Sequence, residues 1–294
     1  MMYLGALSAF AASVTWAFAS TRYSIVAREQ GAVRVGVVRA VTASGLWLTW
    51  LACTDGLASL AQIDGRHALI LIGSVMCSYV VGDRVFFAAS ARLGVPSALA
   101  IATIYPLWAA LYGTFVRGES LGPRRIVGIA CCLAGVSAVL WMSRDPKLHQ
   151  ARGVWQGAAL ALLTSCFWAG NAVFLKLGTD DLSIYQANGF RYTVAALVLL
   201  VQLRTAKPPA SKLPMRELVR TMRAPLALDA GFGSVLFVYG IAHTDLALGA
   251  TLSSLSPLVA LPVAVAMRTE RVTAGKVAAV CLTLSGVVLL VTTA

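Results

Sequence analysis

Two adjacent charged residues, Asp83 and Arg84, interrupt an otherwise apolar stretch. A charge at mid-membrane costs about 2.5–3.5 kcal/mol on insertion scales, so such residues usually face a cavity or a partner. Asp83 shares its helical face with Tyr79 and Phe87. A carboxylate, a phenol and a ring are the groups expected at a site for an amphipathic organic solute or cation. These four residues are therefore candidate binding residues, and the alternative is a structural ion pair between Asp83 and an arginine such as Arg39.

Further polar and aromatic residues lie inside other apolar stretches. Trp16 and Trp168 are midway along two of them, and Asn171 shares the helical face of Trp168. Arg39 and Arg191 stand near the start of two more. All five are candidate binding residues, because indole, amide and guanidinium groups could line one cavity. Packing is the alternative for the tryptophans, and anchoring at the membrane interface is the alternative for the arginines.

Two prolines and two glutamates form a second set of candidates. Pro106 and Pro257 lie within apolar stretches, where a proline leaves the carbonyl one turn earlier without its helical partner. We predict a hinge at each proline, and a static kink is the alternative. Glu119 and Glu270 follow at the ends of the same stretches, close to arginines. We predict that they act as gates or latches; a permanent salt bridge between neighbouring helices is the alternative.

The apolar stretches that carry these residues occur twice along the chain, as a sequence repeat. The pairs Pro106/Pro257, Glu119/Glu270 and Gly135/Gly286 are each 151 residues apart, and the pairs Trp16/Trp168 and Arg39/Arg191 are 152 apart. A spacing this constant indicates a duplication. We predict two repeats, residues 1–147 and 148–294. The second repeat has Ser234 where the first has Asp83, so substrate chemistry is expected where the repeats differ.

Composition identifies the class of protein. Hydrophobic residues make up 59% of the 294 residues and charged residues only 12%, which excludes a soluble domain. The apolar stretches number about ten, five in each repeat, and each is long enough to cross a bilayer. Because five is odd, the second repeat must enter the membrane from the opposite side. The sequence therefore predicts an all-α membrane protein of about ten transmembrane helices, as two inverted five-helix repeats around a central cavity.

The net charge of +12 does not indicate nucleic-acid binding, because the basic residues fall in loops between apolar stretches. Their distribution predicts both termini outside the cell. The segment 205–223 is predicted to be an amphipathic piece lying on the membrane surface. The cysteines and histidines lack metal-ligand spacing, and the chain has no Gly-x-x-x-x-Gly-Lys-Ser/Thr motif. We therefore expect no metal, no cofactor and no ATP hydrolysis.

These features together resemble the EamA family of the drug/metabolite transporter superfamily. The resemblance rests on the inverted halves and on the repeated motifs Ala91-x₁₄-Pro106-x₁₂-Glu119 and Ala242-x₁₄-Pro257-x₁₂-Glu270, Gly135-Val136 and Gly286-Val287, Trp16-Ala17 and Trp168-Ala169. It implies that helices one to four and six to nine surround a central cavity while five and ten pack outside. It also implies export or exchange of metabolites, amino acids or drugs across the inner membrane. Related exporters have cytoplasmic termini, the reverse of the orientation that the loop charges predict.

The predicted function is secondary-active transport of small organic metabolites by alternating access, in a bacterial inner membrane. The proton gradient, with Asp83 as the titrating group, or the solute gradient alone could drive it. The expected partners are a small-molecule substrate, lipid and protons as a coupling ion, in a monomer or weak homodimer. One alternative is a passive channel. Another is an intramembrane aspartyl protease; against it, residue 80 is valine in the Gly82-Asp83 motif, and Asp229 is predicted near a span edge.

Overall fold

A computed structural model describes residues 2–108, 122–142, 151–179, 182–206, 212–244, 246–266 and 273–291. Within these ranges the regular structure is helical, and the helices group in chain order into ten spans. The first five are Met2–Gln30, Ala32–Cys53, Gly65–Leu93, a fourth that starts with Val95–Ala102, and Pro123–Met142. The second five are Ala151–Gly178, Ile184–Thr205, Met215–Ala242, Leu246–Ser253 with Ser256–Ala266, and Ala274–Val291. Five helices in the described ranges are long and apolar enough to cross a membrane.

The second and seventh spans pack against each other in opposite directions. Gly36 faces Leu199, near the end of the seventh span, and Gly189, near its start, faces Leu51. Between these contacts, the hydroxyls of Ser44 and Thr193 are 2.9 Å apart. Residue numbers thus increase along one helix where they decrease along the other, so the two helices are antiparallel. Because the two spans are the same element of each repeat, this contact confirms the inverted arrangement.

Two further pairs join the halves in the same way. The first span packs on the eighth, where a Cβ on Gly240 would lie 2.8 Å from the Ala9 backbone nitrogen. The third span packs on the sixth, where Gly73 faces Phe174 and Gly157 faces Leu93. Small residues permit this close approach between membrane helices. The core is therefore built largely from contacts between the repeats.

The fifth and tenth spans form a separate pair. A Cβ on Gly135 would collide with Thr283, and a Cβ on Gly286 would collide with the backbone of Cys132 and Gly128. These two glycines are equivalent in the repeats, and each lets the other helix approach to backbone contact. The pair therefore packs tightly and, as described below, stays away from the cavity.

In the described residues, four spans depart from regular α-helix at matching places. The third and eighth contain π-helical turns at Met76–Val80 and Ala227–Gly233, which start 151 residues apart. Such turns are frequent at functional sites. The fourth span stops at Ala102 and the ninth at Ser253, and after two turn residues each helix resumes with its proline in the first turn. A break in the helix thus precedes each of Pro106 and Pro257, and their role as hinges stays a prediction.

The prediction of a separate surface piece at 205–223 is wrong for the part that the structure describes. Met215–Leu226 is a helix that continues through the π turn to Ala242, so the eighth span includes residues 215–223 of the predicted surface piece. Leu218 and Met222 are fully buried in the main core, whereas Arg216, Arg220 and Arg223 are exposed. The amphipathic stripe extends the span because its apolar side packs on the protein.

Candidate functional site

A central cavity with a volume of about 130 Å³ lies between the two repeats. Residues from spans one to four and six to nine line it, as the family resemblance implied, and none of its lining residues comes from the described parts of spans five and ten. Seven of the predicted binding residues lie on its wall: Trp16, Arg39, Tyr79, Asp83, Trp168, Asn171 and Arg191.

Arg39 is the centre of a buried ion cluster. Its Nη1 lies 2.5 Å from the Asp83 carboxylate, and its Nη2 and Nε lie 2.8 and 3.2 Å from Oδ2 of Asp229. Three spans therefore meet at one guanidinium that is 1% exposed. The structure contains the Arg39–Asp83 pair that the sequence left open as an alternative. With two carboxyl groups and one guanidinium, the cluster has one more acidic group than basic groups.

Aromatic rings complete the surroundings of Arg39. The rings of Tyr79, Tyr23 and Trp16 have their centroids 4.3, 4.4 and 5.2 Å from the guanidinium carbon. Cation–π contacts of this kind gain strength when water is excluded. This guanidinium is therefore held from several directions, by charge and by ring faces.

Asp229 is a site residue that the sequence interpretation placed wrongly. It was predicted near the edge of the eighth span, but the earlier start of that span puts it within the π turn, 8% exposed on the cavity wall. The repeat could have identified it. Asp229 lies 151 residues after Ser78, just as Ser234 lies 151 after Asp83, so the repeats exchange an aspartate and a serine between two positions.

Arg191, the counterpart of Arg39, has a different environment. Its Nη2 donates to Oδ1 of Asn171 at 3.0 Å and its Nη1 to Oδ1 of Asn188 at 3.4 Å. The residue is 3% exposed, and its Nε has no hydrogen-bond partner among the residues that the structure describes. No ion pair to Arg191 is found there either. It is a buried cation held by neutral amides.

Aromatic side chains from both repeats meet on the cavity wall. Trp16 and Trp168 meet edge to face with centroids 5.8 Å apart, so both packing and cavity lining apply to them. The hydroxyls of Tyr79 and Tyr192 are 3.3 Å apart. These residues give the cavity apolar faces that carry only a few polar atoms.

Two predicted binding residues, Arg84 and Phe87, lie away from the cavity. Arg84 is exposed and donates to Oε1 of Gln202 at 2.9 Å, because adjacent helical residues point about 100° apart and Asp83 takes the inward direction. Phe87 is 4% exposed within the main core and contacts Phe86. Their prediction as cavity residues is therefore corrected.

The breaks in the fourth and ninth spans also reach the cavity, which the sequence interpretation did not predict. Tyr105 lines it, and its hydroxyl donates to the Ala250 carbonyl of the ninth span at 2.6 Å. Ser253 and Ser256, on either side of the second break, line it as well. The predicted latch residues Glu119 and Glu270 lie outside the described residues. In the described part of the chain, no cluster of three His, Cys, Asp or Glu could hold a metal.

The same two repeats appear when the chain is compared with known proteins. Residues 3–141 and 155–292 each match the sequence model of the EamA-like transporter family. The chain belongs to this family. The predicted family is confirmed, and the protein is an integral membrane transporter of small solutes.

This EamA-family protein is also similar to one curated protein and to one solved structure. An uncharacterized transporter of Archaeoglobus fulgidus is 26% identical over 235 residues, which cover 80% of this chain and 79% of that protein. A protein of known crystal structure, 18% identical, aligns with a TM-score of 0.70 over 99% of this chain and 98% of its own. At that identity the second likeness shows the fold alone.

Proposed function

We propose that this EamA-family protein is a secondary transporter that exports or exchanges small organic metabolites, such as amino acids, amines or drugs. It moves them chemically unchanged across a bacterial inner membrane by alternating access. The central cavity is the observation that carries the proposal, because both inverted repeats supply its walls and its charges. The two repeats, residues 1–147 and 148–294, are proposed to rock against each other around it.

The breaks before Pro106 and Pro257 support this motion. Each interrupts a cavity-lining span at the same place in its repeat. Tyr105 and Ser256, which follow the breaks directly, line the cavity. Bending at either break would therefore change the shape of the binding site itself, as alternating access requires.

Protons are the proposed coupling ion, and the Arg39 cluster is the proposed place where they bind. One guanidinium neutralises only one of two carboxylates, so one proton bound by Asp83 would balance the charge of the cluster. A solute that approaches this cluster, or a rearrangement of the cavity around it, would change that proton affinity. Transport and proton movement would then be linked.

Uptake into proteoliposomes tests the proposal. Amino acids and amines are offered at rising concentration, with and without a pH gradient. We expect saturable uptake that the gradient accelerates, and loss of that acceleration in Asp83→Asn. Asp64→Asn is the matched control, because Asp64 caps the third span outside the membrane through the His67 amide at 2.8 Å, and asparagine caps equally well. Uptake of every solute without saturation would instead identify a channel. If the pH gradient accelerated uptake by Asp83→Asn as much as by wild type, this coupling site would be excluded.

A further inference from the structure

The repeat makes the surroundings of the two arginines directly comparable. Arg39 is held by Asp83 of its own repeat and by Asp229 of the other. Applying the repeat spacing to both aspartates gives the residues that should stand around Arg191. They are Ser234 and Ser78, and both line the cavity. Arg191 therefore has serines at the positions where its counterpart has carboxylates.

Arg191 also lacks most of the aromatic positions that surround Arg39. The positions equivalent to Tyr23 and Tyr79 are Leu175 and Ala230, so two of the three rings that stack on Arg39 have no counterpart. In the described part of the chain, no ring lies in cation–π contact with Arg191. Among the residues that the structure describes, neither a carboxylate nor a ring face therefore compensates the burial of Arg191.

The residues that bind Arg191 orient its guanidinium but do not neutralise its positive charge. Asn171 and Asn188 replace Ala19 and Gly36 of the first repeat and present their amide oxygens to the guanidinium. The hydroxyl of Ser74 donates to the same Asn171 oxygen at 2.8 Å, which sets the orientation of that amide. Among the described residues, Nε of Arg191 and Nδ2 of Asn188, both buried, have no acceptor.

The uncompensated cation also lies at a different depth from the ion cluster. Ser44 contacts Thr193 where the second and seventh spans run antiparallel. Arg39 is five residues before Ser44, and Arg191 is two before Thr193. At 1.5 Å per residue, these offsets add to a separation of about 10 Å along the helix axes. A solute between them would meet an acidic cluster at one end and, at the other, a guanidinium that has no ion-pair partner among the described residues.

We propose that Arg191 binds the carboxylate of the transported solute, with Asn171 and Asn188 as positioning residues. This inference rests on the proposed transport function and names one class of its substrates. A guanidinium is the side chain best suited to pair with a carboxylate through parallel N–H bonds, and a dry pocket strengthens the pair. The solute body would then lie against Trp16 and Trp168.

Matched solutes that differ only in the carboxylate test the inference. Binding and proteoliposome uptake are measured for free amino acids, including leucine and phenylalanine, and for their primary amides, which keep the shape and lose the negative charge. We expect wild-type protein to prefer the acids by about tenfold or more, since a hydrogen bond to a charged group contributes about 1.5–3 kcal/mol. Arg191→Gln should remove the preference, and Arg84→Gln, outside the cavity, should keep it.

A second variant covers the case in which Arg191→Gln fails to fold. Ser78→Asp places a carboxylate at the position equivalent to Asp229, so Arg191 would acquire a permanent partner. We expect this variant to fold and to lose the preference for acids. Equal transport of acids and amides by wild type, or an intact preference in a folded Arg191→Gln or Ser78→Asp, would overturn the carboxylate subsite while leaving transport in place. Absence of saturable transport for every solute would instead overturn the proposed function on which it rests.

Discussion

Arg39 and Arg191 occupy the same position in two copies of one scaffold, and their surroundings are opposite. Arg39 has two carboxylates and three ring faces within contact distance. Arg191 has two amide oxygens. Both are almost completely buried. The two arginines stand at equivalent places of equivalent spans, so the residues packed around them make the difference.

This difference shows how one duplicated position can serve two purposes. A buried charge with partners joins helices, and removing one partner leaves the others uncompensated. A buried charge that has only neutral hydrogen-bond partners gains less from its neighbours and is costly to keep, which supports the proposed binding role of Arg191. The comparison predicts that stability depends on the first arginine and solute selection on the second.

The largest effect is expected from Arg39→Met. It removes the only basic partner that the structure shows for the buried carboxylates of Asp83 and Asp229, and breaking a buried pair costs about 3–5 kcal/mol. Reversible unfolding of the purified protein in mixed micelles would measure the free energy. Adding Asp83→Asn and Asp229→Asn should restore much of the loss. A triple variant no more stable than the single one would show that charge is not what holds the three spans together.

A smaller effect is expected from Trp47→Phe. This variant tests whether the residues around Arg39 contribute to the stability of the protein. The Trp47 indole donates to the Ala230 carbonyl at 3.0 Å and to the Ser234 hydroxyl at 3.2 Å, fixing the eighth span beside Asp229. Its loss should cost about 1 kcal/mol. Trp50→Phe is the matched control, because Trp50 is 51% exposed and only stacks on Tyr185. Equal costs for both would argue against the indole hydrogen bonds as the cause.

The smallest change in stability is expected from Arg191→Gln. Losing the bonds to Asn171 and Asn188 destabilises, and removing an uncompensated charge stabilises, so the free energy of unfolding should stay within about 1 kcal/mol of wild type. The same micelle experiment measures it. A loss as large as that of Arg39→Met would remove the distinction between the two arginines.

Much of the fold could be predicted from the sequence because its main features are periodic. Apolar stretches of membrane length, the constant repeat spacing and the odd number of spans per half are all local or countable. The break at each proline follows from its missing amide donor. The pairing of spans two with seven and three with six could not be predicted, because it depends on which small residues meet across the repeats.

The candidate site was only partly predictable. Asp83, Arg39 and Arg191 could be identified because charges inside apolar stretches are conspicuous. Asp229 was missed because the arginines at 216–223 lower the mean hydropathy there, so the eighth span was predicted to start after them. A mean over all residues does not distinguish the buried apolar side of an amphipathic helix from its charged side. Arg84 was misplaced because two adjacent charges look equivalent in a sequence, and only the direction of the helix face distinguishes them.

The exchange of aspartate and serine between the repeats also indicates the order of events in the evolution of this chain. In a dimer of identical five-helix subunits, symmetry gives both arginines the same number of carboxylate neighbours. Among the described residues, Arg39 has two carboxylate neighbours and Arg191 has none, and this difference requires copies that can mutate separately. The polarity of this cavity could therefore arise only after two distinguishable copies existed, and fusion into one polypeptide ensures that they always assemble with each other.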